Sequence, residues 1–288
     1  MLQQHYHVMR LQDWISEQPK SARPTVIMTF DDGYADNFRE ALPLLQEADC
    51  PATVFVTAGK IDDEEEFWWD ELERLILVPE SLPEELFLST GGRNHRWKID
   101  SKWIGKANPN GWHVLLEQKP TGRQAAYLDL CRLLRKADEI ERSRVLDELR
   151  TWAGLEPLGR SSYRPLTRAQ LRSLEANELI DIGAHAVTHS SLTALSISDQ
   201  KFEVEKSKLM LEKFIGRPVR SFSYPFGGVE DYNADTIRLV RNAGFACACA
   251  NYPAVAQPAK NLYELPRFLV RDWDGDYFAK TLEAWAAS

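Results

Sequence analysis

Short apolar runs alternate with amphipathic segments along most of this chain, and this rhythm constrains its fold more than any other feature. The apolar runs are residues 26–30, 53–57, 179–183, 220–224, 245–250 and 265–270. Their continuous apolar character suits strands that are buried on both faces, as in a parallel sheet. Apolar residues recur at helical spacing in the segments between them, at 37–48, 167–177, 198–216, 234–242 and 277–287. The alternation predicts an α/β fold made of strand–helix units, either a parallel sheet or a barrel.

The helix predicted between Ser198 and Gly216 has a favourable residue at each end. Ser198 is a favourable N-cap residue, and Gly216 is a favourable residue just beyond a helix C-terminus. The apolar residues assigned to this helix are Phe202, Leu209 and Phe214.

One long region interrupts the rhythm. Between residues 60 and 165 no strongly apolar strand occurs. We expect a helix at 67–78, a hairpin at 87–99 around Gly91–Gly92, and two charged helices within 124–153. The region is rich in tryptophan, with Trp68, Trp69, Trp97, Trp103, Trp112 and Trp152. Insertions of this size on a strand–helix scaffold commonly form lids or binding walls. We therefore predict a single catalytic domain over residues 1–288, with an insertion at 60–165 that serves as a lid or substrate wall.

Charge and cysteine content exclude several classes of protein. The net charge is −8, from 35 basic and 43 acidic residues, which disfavours a nucleic acid or an anionic membrane as partner. No apolar stretch approaches the roughly 20 residues of a membrane span, and residues 1–14 do not resemble a secretory signal. The four cysteines are too few and too scattered for a disulfide scaffold. These features predict a cytoplasmic protein, and they leave its oligomeric state open.

Acidic and imidazole side chains follow two of the predicted strands. Asp31 and Asp32 come directly after the first strand, and His185 and His189 follow the strand at 179–183. Taken alone, the two acids could be a helix cap and a turn residue, and the two histidines could be structural. Together they form a set of two histidines and a carboxylate at the carboxyl ends of strands. Such a set suits zinc, or another divalent ion such as iron, cobalt or nickel.

A third segment, residues 221–228, again passes from a strand into a sharp turn. Pro225 has no backbone donor, whereas Phe226 and the glycines after it offer N–H groups that could bind a developing oxyanion. The alternative is an ordinary proline–glycine turn.

These three segments resemble the motifs of a known family. Residues 29–33, 185–189 and 224–227 are similar to the first three motifs of the polysaccharide deacetylase (NodB homology) family, of carbohydrate esterase type. The resemblance runs from about residue 23 to 284, apart from the insertion. It implies a distorted (β/α)7 TIM-like barrel, here with a long, mostly helical insertion. It also implies a hydrolase that uses a divalent metal, zinc first, to remove the N-acetyl group from an amino sugar and release acetate.

The resemblance also assigns roles to individual residues. Asp31 would be the general base, while Asp32, His185 and His189 would bind the metal. The backbone N–H of Phe226 would help to bind the oxyanion.

The sequence departs from the family pattern in three places. The family's third motif usually begins with an arginine that orients the base, whereas this chain has a serine, Ser221 or Ser223, near that position. We expect Arg267 to supply the ion pair to the base instead, with Arg271 as the alternative. No histidine follows His189, so the family's usual general acid has no counterpart. The chain also begins close to its first motif strand, and we expect no additional strand before it.

Five residues are candidates for contact with the substrate. They are Trp68 and Trp69 in the insertion, Tyr224 and Pro225 in the third motif, and Trp273 near the C-terminus. The tryptophans could stack on a sugar ring, or they could anchor the insertion and pack in the core. Two other functions stay open, which are an amidase or deformylase of the same fold and an inactive relative that binds carbohydrate.

Overall fold

The computed structural model describes residues 2–17, 21–100, 121–157, 159–257 and 261–287. The chain forms two compact units. The first, here called the sheet unit, comprises Met1–Asp63 and Pro165–Ser288, and the second, the inserted unit, is Glu64–Arg164. The insertion was predicted at 60–165. Trp103 and Trp112 lie outside the described residues.

The described residues form nine strands and ten α-helices. The strands are β1 (His7–Val8), β2 (Thr25–Val26), β3 (Met28–Phe30), β4 (Ala52–Val56), β5 (Glu85–Thr90), β6 (Arg93–Lys98), β7 (Ile180–Ala184), β8 (Ser221–Ser223) and β9 (Cys247–Cys249). The helices are α1 (Leu2–His5), α2 (Leu11–Glu17), α3 (Leu42–Glu47), α4 (Trp68–Ile76), α5 (Gly122–Lys136), α6 (Glu139–Ala153), α7 (Arg168–Glu175), α8 (Ile197–Ile215), α9 (Ala234–Asn242) and α10 (Gly275–Ala286). A π-helical turn, Asn37–Ala41, leads into α3.

The sheet unit is organised by one five-stranded parallel sheet. Its strands lie in the order β3-β4-β7-β8-β9, which is also their order along the chain. In a doubly wound sheet, the order of the strands reverses at a switch point. Strands that follow one another in chain order instead curl around a common axis, as in a barrel. The sheet is a curled half-barrel, and the predicted barrel-like α/β fold is confirmed.

The two faces of this sheet pack differently. The face toward the helices carries residues such as Val54, Ile182 and Phe222, which belong to the large apolar core. The inner face has a smaller core that includes Phe55, Cys247 and Cys249. Each fully buried aliphatic or aromatic side chain contributes about 1.5–3 kcal/mol to stability. The continuous apolar runs are therefore explained by burial on both faces.

Two predicted strands differ from the observed ones. The run at 26–30 divides into β2 and β3, and β2 pairs with β1, so a short strand does precede the first motif and the prediction of none was wrong. In the run at 265–270, only Leu265 pairs, in a parallel bridge to Cys249. Pro266 has no N–H to continue the ladder, and the side chains after Phe268 are exposed.

Helix α8 presents an unexpected face to the core. Its N-cap is Ser196 rather than Ser198. Phe202 is 54% exposed and Leu209 is 61% exposed. The buried residues are Gln200, Glu203, Val204, Ser207 and Leu211. The expected apolar positions were therefore wrong for Phe202 and Leu209, because the face that α8 buries is partly polar.

Within its described residues, the inserted unit contains α4, the antiparallel hairpin β5–β6, and the helices α5 and α6, as the sequence predicted. Buried ion pairs tie these elements together. Glu71 of α4 accepts two hydrogen bonds from Arg150 of α6, at 2.7 and 2.6 Å. In the described part of the chain, no helix has the length and apolar character needed to cross a membrane.

Candidate active site

The carboxyl ends of β3, β7 and β8 bring the predicted acids and histidines together. Asp31 and Asp32 directly follow β3, His185 directly follows β7, and Ser223 is the last residue of β8. Parallel strands end at the same edge of a sheet, so residues distant in sequence meet there. The strand β4 lies between β3 and β7, and its end braces both loops. Thr57 donates its N–H to the Asp32 carbonyl, and His185 donates its N–H to the Val56 carbonyl.

Asp32 faces the two histidines. Its Oδ1 lies 3.4 Å from Nε2 of His185 and 3.1 Å from Nε2 of His189. The ligand atoms of these three residues all lie within 4.8 Å of one another. Both imidazoles are buried. One carboxylate and two ring nitrogens therefore converge on one small volume.

A backbone contact sets the orientation of the His185 ring. Its Nδ1 lies 2.7 Å from the carbonyl oxygen of Ser223. A carbonyl only accepts hydrogen bonds, so Nδ1 carries the proton, and in the neutral ring Nε2 is left with its lone pair toward Asp32. This is the tautomer that a metal-binding histidine requires.

Asp31 has a different partner. Arg267 donates from Nη1 to Oδ1 and from Nη2 to Oδ2 of Asp31, both at 2.7 Å, which is a bidentate ion pair. Ser223 Oγ lies between them, because it donates to Asp31 at 3.2 Å and accepts from Arg267 at 3.0 Å. The alternative partner, Arg271, is exposed.

The pKa values of the site reflect these pairings. Burial by itself raises the pKa of Asp31, but Arg267 and His185 lower it more, so its net pKa lies below the ordinary value. Burial likewise raises the pKa of Asp32, and the two histidines bring it far below the ordinary value. Both acids are therefore ionised at neutral pH, one beside a guanidinium and the other beside two imidazoles.

The two histidines shift in opposite directions. Burial lowers the pKa of His189 below its ordinary value, which favours the neutral ring. Burial also acts to lower the pKa of His185, but Asp31 and Asp32 outweigh it, and the net pKa is raised. The two carboxylates thus make the position of His185 favourable for positive charge.

Strained backbone is concentrated in the same loops. Six described residues other than glycine have positive φ, and four of them belong to the three motifs. These four are Asp32 at 73°, Ala186 at 61°, His189 at 57° and Phe226 at 62°. A left-handed residue other than glycine costs on the order of 1–3 kcal/mol, and such strain commonly occurs at functional sites.

The third motif lies against the histidines. The Phe226 ring packs edge-on against His189, with ring centroids 4.7 Å apart. Asn251 holds the turn, because its side chain donates to the Phe226 carbonyl at 3.2 Å and its N–H donates to the Gly227 carbonyl at 2.8 Å. An oxyanion contact from the Phe226 N–H stays a prediction.

Three candidate substrate contacts in the sheet unit, Tyr224, Pro225 and Trp273, are buried or half-buried. Tyr224 is 1% exposed, stacks on Tyr232 and donates its hydroxyl to the Tyr263 carbonyl, so it packs in the core, and a substrate contact by Tyr224 stays a prediction. Pro225 is also buried. Trp273 is half-buried among aromatic rings of α10.

The tryptophan pair of the insertion lies in the inserted unit and packs within it. Trp69 stacks on Phe67, with ring centroids 4.8 Å apart. The Arg142 guanidinium lies over the Trp68 ring, 5.4 Å from its centroid. A sugar contact by either tryptophan stays a prediction.

Two residues around the site had no assigned role in the sequence. Ser223 was noted only because it stands where the family has an arginine, and in the structure it contacts Asp31, Arg267 and His185. Glu203 of α8 binds the loop that carries the histidines. No local signal pointed to Glu203, because an acid on a helix acquires such a role only from the loop that packs against it.

The residues present fit a divalent metal ion. The donor set of two imidazoles and one carboxylate is typical of sites that keep open positions for water and substrate. His185 has the required tautomer, and the two adjacent carboxylates favour a cation at this point. Asp32, His185 and His189 are therefore the residues that could hold it.

Comparison with known proteins identifies a family that this chain matches. The polysaccharide deacetylase family model matches residues 18–78 and 149–248, more than half of the chain. A curated relative is YxkH of Bacillus subtilis, described as a polysaccharide deacetylase, which is 27% identical over 105 residues. That match covers 36% of this chain and only 36% of the length of YxkH.

Solved structures show the same fold at low sequence identity. The deacetylase PplD of Streptococcus pyogenes, solved in complex with acetate, aligns with a TM-score of 0.56 and 16% identity over 97% of this chain and 80% of its own. The BpsB deacetylase domain of Bordetella bronchiseptica aligns with a TM-score of 0.54 and 14% identity, over 93% and 80% of the two chains. Identities this low establish the fold alone.

Proposed function

The chain belongs to the polysaccharide deacetylase family, and on this premise we propose that it is a metal-dependent hydrolase that removes the N-acetyl group from an amino sugar or a sugar-containing intermediate. The products would be acetate and a free amine. Family membership supports deacetylation of a carbohydrate. The observation that carries the finer proposal is the different pairing of the two adjacent acids, Asp31 with Arg267 and Asp32 with the histidines.

Asp32, His185 and His189 would hold the metal. Zinc is the first candidate, with iron, cobalt or nickel as alternatives. When bound, such an ion polarises the amide carbonyl of the substrate and lowers the pKa of its bound water.

Asp31 would act as the general base. Its oxygens are held by Arg267 and by Ser223 Oγ, which fixes the direction in which they accept a proton from the attacking water. The ion pair also keeps the carboxylate ionised at neutral pH, because it lowers the pKa of Asp31. The N–H of Phe226 would contact the oxygen that becomes negatively charged.

The same carboxyl group would then return the proton. The ion pair with Arg267 lowers the pKa of Asp31, so its protonated form would readily give the proton to the more basic leaving amine. This route needs no histidine after His189. It also restores the Asp31–Arg267 ion pair at the end of the cycle.

The test combines metal analysis with a substrate panel. We expect bound zinc or another divalent ion, and acetate release from one or more N-acetylated sugars. Asp31→Asn should lower kcat by about 10²–10⁴-fold, the usual contribution of a general base. The control is Asp36→Asn, because Asp36 is an exposed acid close by in the sequence, and its loss should leave kcat unchanged.

Other outcomes would redirect or reject the proposal. Formate release, or opening of a cyclic imide, without acetate release would favour the amidase or deformylase alternative. Sugar binding without turnover would favour an inactive carbohydrate-binding relative. Absence of bound metal, or full activity of Asp31→Asn, would reject the mechanism.

Composition supports two further parts of the proposal. The net charge of −8 favours a carbohydrate over a nucleic acid as partner. All four cysteines are free in the structure, which is typical of proteins in a reducing compartment and supports the proposed cytoplasmic location.

A further inference from the structure

The loop between the two histidines is bound by a carboxylate from α8. Glu203 is 4% exposed. Its Oε2 accepts hydrogen bonds from the backbone N–H groups of Val187, at 2.7 Å, and Thr188, at 2.9 Å. Its Oε1 accepts from the Thr188 hydroxyl at 2.8 Å. A single side chain thus binds three donors of the short segment that separates His185 from His189.

This loop needs an external partner because its backbone is strained. Ala186 and His189, which flank Val187 and Thr188, both have positive φ. This conformation turns the two intervening N–H groups away from regular secondary structure and toward α8. Hydrogen bonds to a charged group contribute about 1.5–3 kcal/mol each, enough to offset the backbone cost of the two left-handed residues.

The opposite side of the loop is held by the chain that follows β4. Ala58 donates its N–H to the Ala186 carbonyl, and Gly59 donates to the Val187 carbonyl, both at 3.0 Å. A Cβ atom on Gly59 would lie 2.6 Å from that carbonyl oxygen, so only glycine permits this approach. The carbonyls of the loop are therefore fixed from one side, and its N–H groups are fixed by Glu203 from the other.

A buried carboxylate is a costly way to stabilise a helix face. Burial of a charge costs several kcal/mol unless hydrogen bonds compensate, and an apolar side chain would pack on the sheet without that cost. What an apolar residue cannot do is accept three hydrogen bonds at once. The choice of glutamate at this position is explained by what it binds and not by packing.

We propose that Glu203 is a positioning residue for the histidine pair, which sets the separation and direction of the His185 and His189 rings through the loop between them. The inference rests on the proposed metal-dependent function for its consequence, since the rings would be metal ligands. The loop contact itself does not depend on a metal.

The first experiment uses the metal-free full chain. Glu203→Ala removes all three acceptor contacts, and amide hydrogen exchange at Val187 and Thr188 should become about 10- to 100-fold faster. Gln200→Ala is the matched control, because Gln200 is a buried polar residue of the same helix that bonds Thr236 and the Leu195 carbonyl instead. In that variant, exchange at Val187 and Thr188 should stay as in the wild type.

The second experiment measures the metal site directly. Residues that orient metal ligands commonly change metal affinity by about 10- to 100-fold when they are removed. We expect Glu203→Ala to weaken zinc binding by that factor in a competition assay with a chelating dye, and to change the visible absorption bands of the cobalt-loaded protein. Glu203→Gln keeps one acceptor oxygen and should give an intermediate affinity. Gln200→Ala should keep both the wild-type affinity and the wild-type cobalt spectrum.

The possible outcomes separate the two proposals. If the wild-type chain binds neither zinc nor cobalt, the proposed function fails, and with it the role of Glu203 in placing metal ligands. If the wild-type chain binds zinc and Glu203→Ala binds it equally well with the same cobalt spectrum, the proposed function stands and the role of Glu203 is refuted. Equal losses in Glu203→Ala and Gln200→Ala would show general destabilisation and would also refute it.

Discussion

Replacing Arg267 with methionine removes the charge that holds Asp31, with little change in side-chain volume. The guanidinium makes five hydrogen bonds, two to Asp31 and one each to Thr29, Ser223 and the Ala250 carbonyl. The Arg267 side chain is 16% exposed and that of Asp31 is 30% exposed, so water can replace only part of these contacts. Loss of one partner of a buried pair costs about 3–5 kcal/mol, and an exposed pair contributes under about 1 kcal/mol. We expect the free energy of unfolding to fall by about 2–4 kcal/mol.

Denaturant unfolding at pH 7 in the presence of a chelator measures this loss without a contribution from bound metal. A double-mutant cycle with Asp31→Asn then isolates the interaction between the two side chains. Arg267→Met should also lower kcat for acetate release by about 100-fold, because the carboxylate is no longer held in position.

Arg267→Lys is the matched control. Lysine keeps the charge but lacks the planar fork that binds both carboxylate oxygens, so its stability and kcat should fall between those of the wild type and Arg267→Met. The reasoning is refuted if Arg267→Met loses less than about 1 kcal/mol, the value of an exposed pair, or if the cycle shows no coupling with Asp31.

Three further predictions concern packing, pH and metal. Gly183→Ala should lower the free energy of unfolding by about 1–3 kcal/mol, because the new Cβ would lie 2.3 Å from the Phe55 ring; unchanged denaturant unfolding would contradict this. Burial raises the pKa of Asp181 more than nearby arginines lower it, so the ionised carboxylate reduces stability above its unfolded-state pKa of about 4. Asp181→Asn should therefore stabilise the protein at pH 7, and unfolding curves at several pH values should show this gain fading as the pH falls toward about 4; a gain that is independent of pH would disprove the assignment. Removal of metal should lower the melting temperature, since zinc at about 100 times its Kd adds about 2.7 kcal/mol. His189→Ala should show much less of this zinc-dependent shift in the same thermal scan, and a full shift would argue against His189 as a ligand.

Local sequence patterns predicted much of the fold. Continuous apolar runs located the parallel strands, and the glycine pair at Gly91–Gly92 located the β5–β6 hairpin, because both signals act over a few residues. The failures came from tertiary contacts. Pro266 ended a strand that its apolar neighbours predicted. Helix α8 buries a partly polar face in place of Phe202 and Leu209, and Glu203 on that face binds the loop between the histidines.

The residues of the site were visible in the sequence, but their partners were expected only from the family resemblance and not from any local pattern. Asp31 and Asp32 are adjacent and chemically identical, so no local signal distinguishes them. Arg267 lies more than two hundred residues away from Asp31 and meets it only because β3 and the segment after β9 end at the same edge of the sheet. Glu203 was missed for a similar reason, since a helical acid acquires a role only from the loop that packs against it.

The sequence by itself determined which reactive side chains the site contains and which type of fold the chain adopts. The type of fold was accessible because hydrophobic periodicity and the order of strands and helices depend on local composition. It placed two acids, two histidines and a sharp turn at strand ends. The pairing of Asp31 with Arg267, and of Asp32 with the two histidines, was expected only from the family resemblance, and only the tertiary structure decided the contacts that make it. The reason is physical, since hydrogen bonds, ion pairs and pKa shifts depend on distances of a few ångströms between segments that are far apart in the chain.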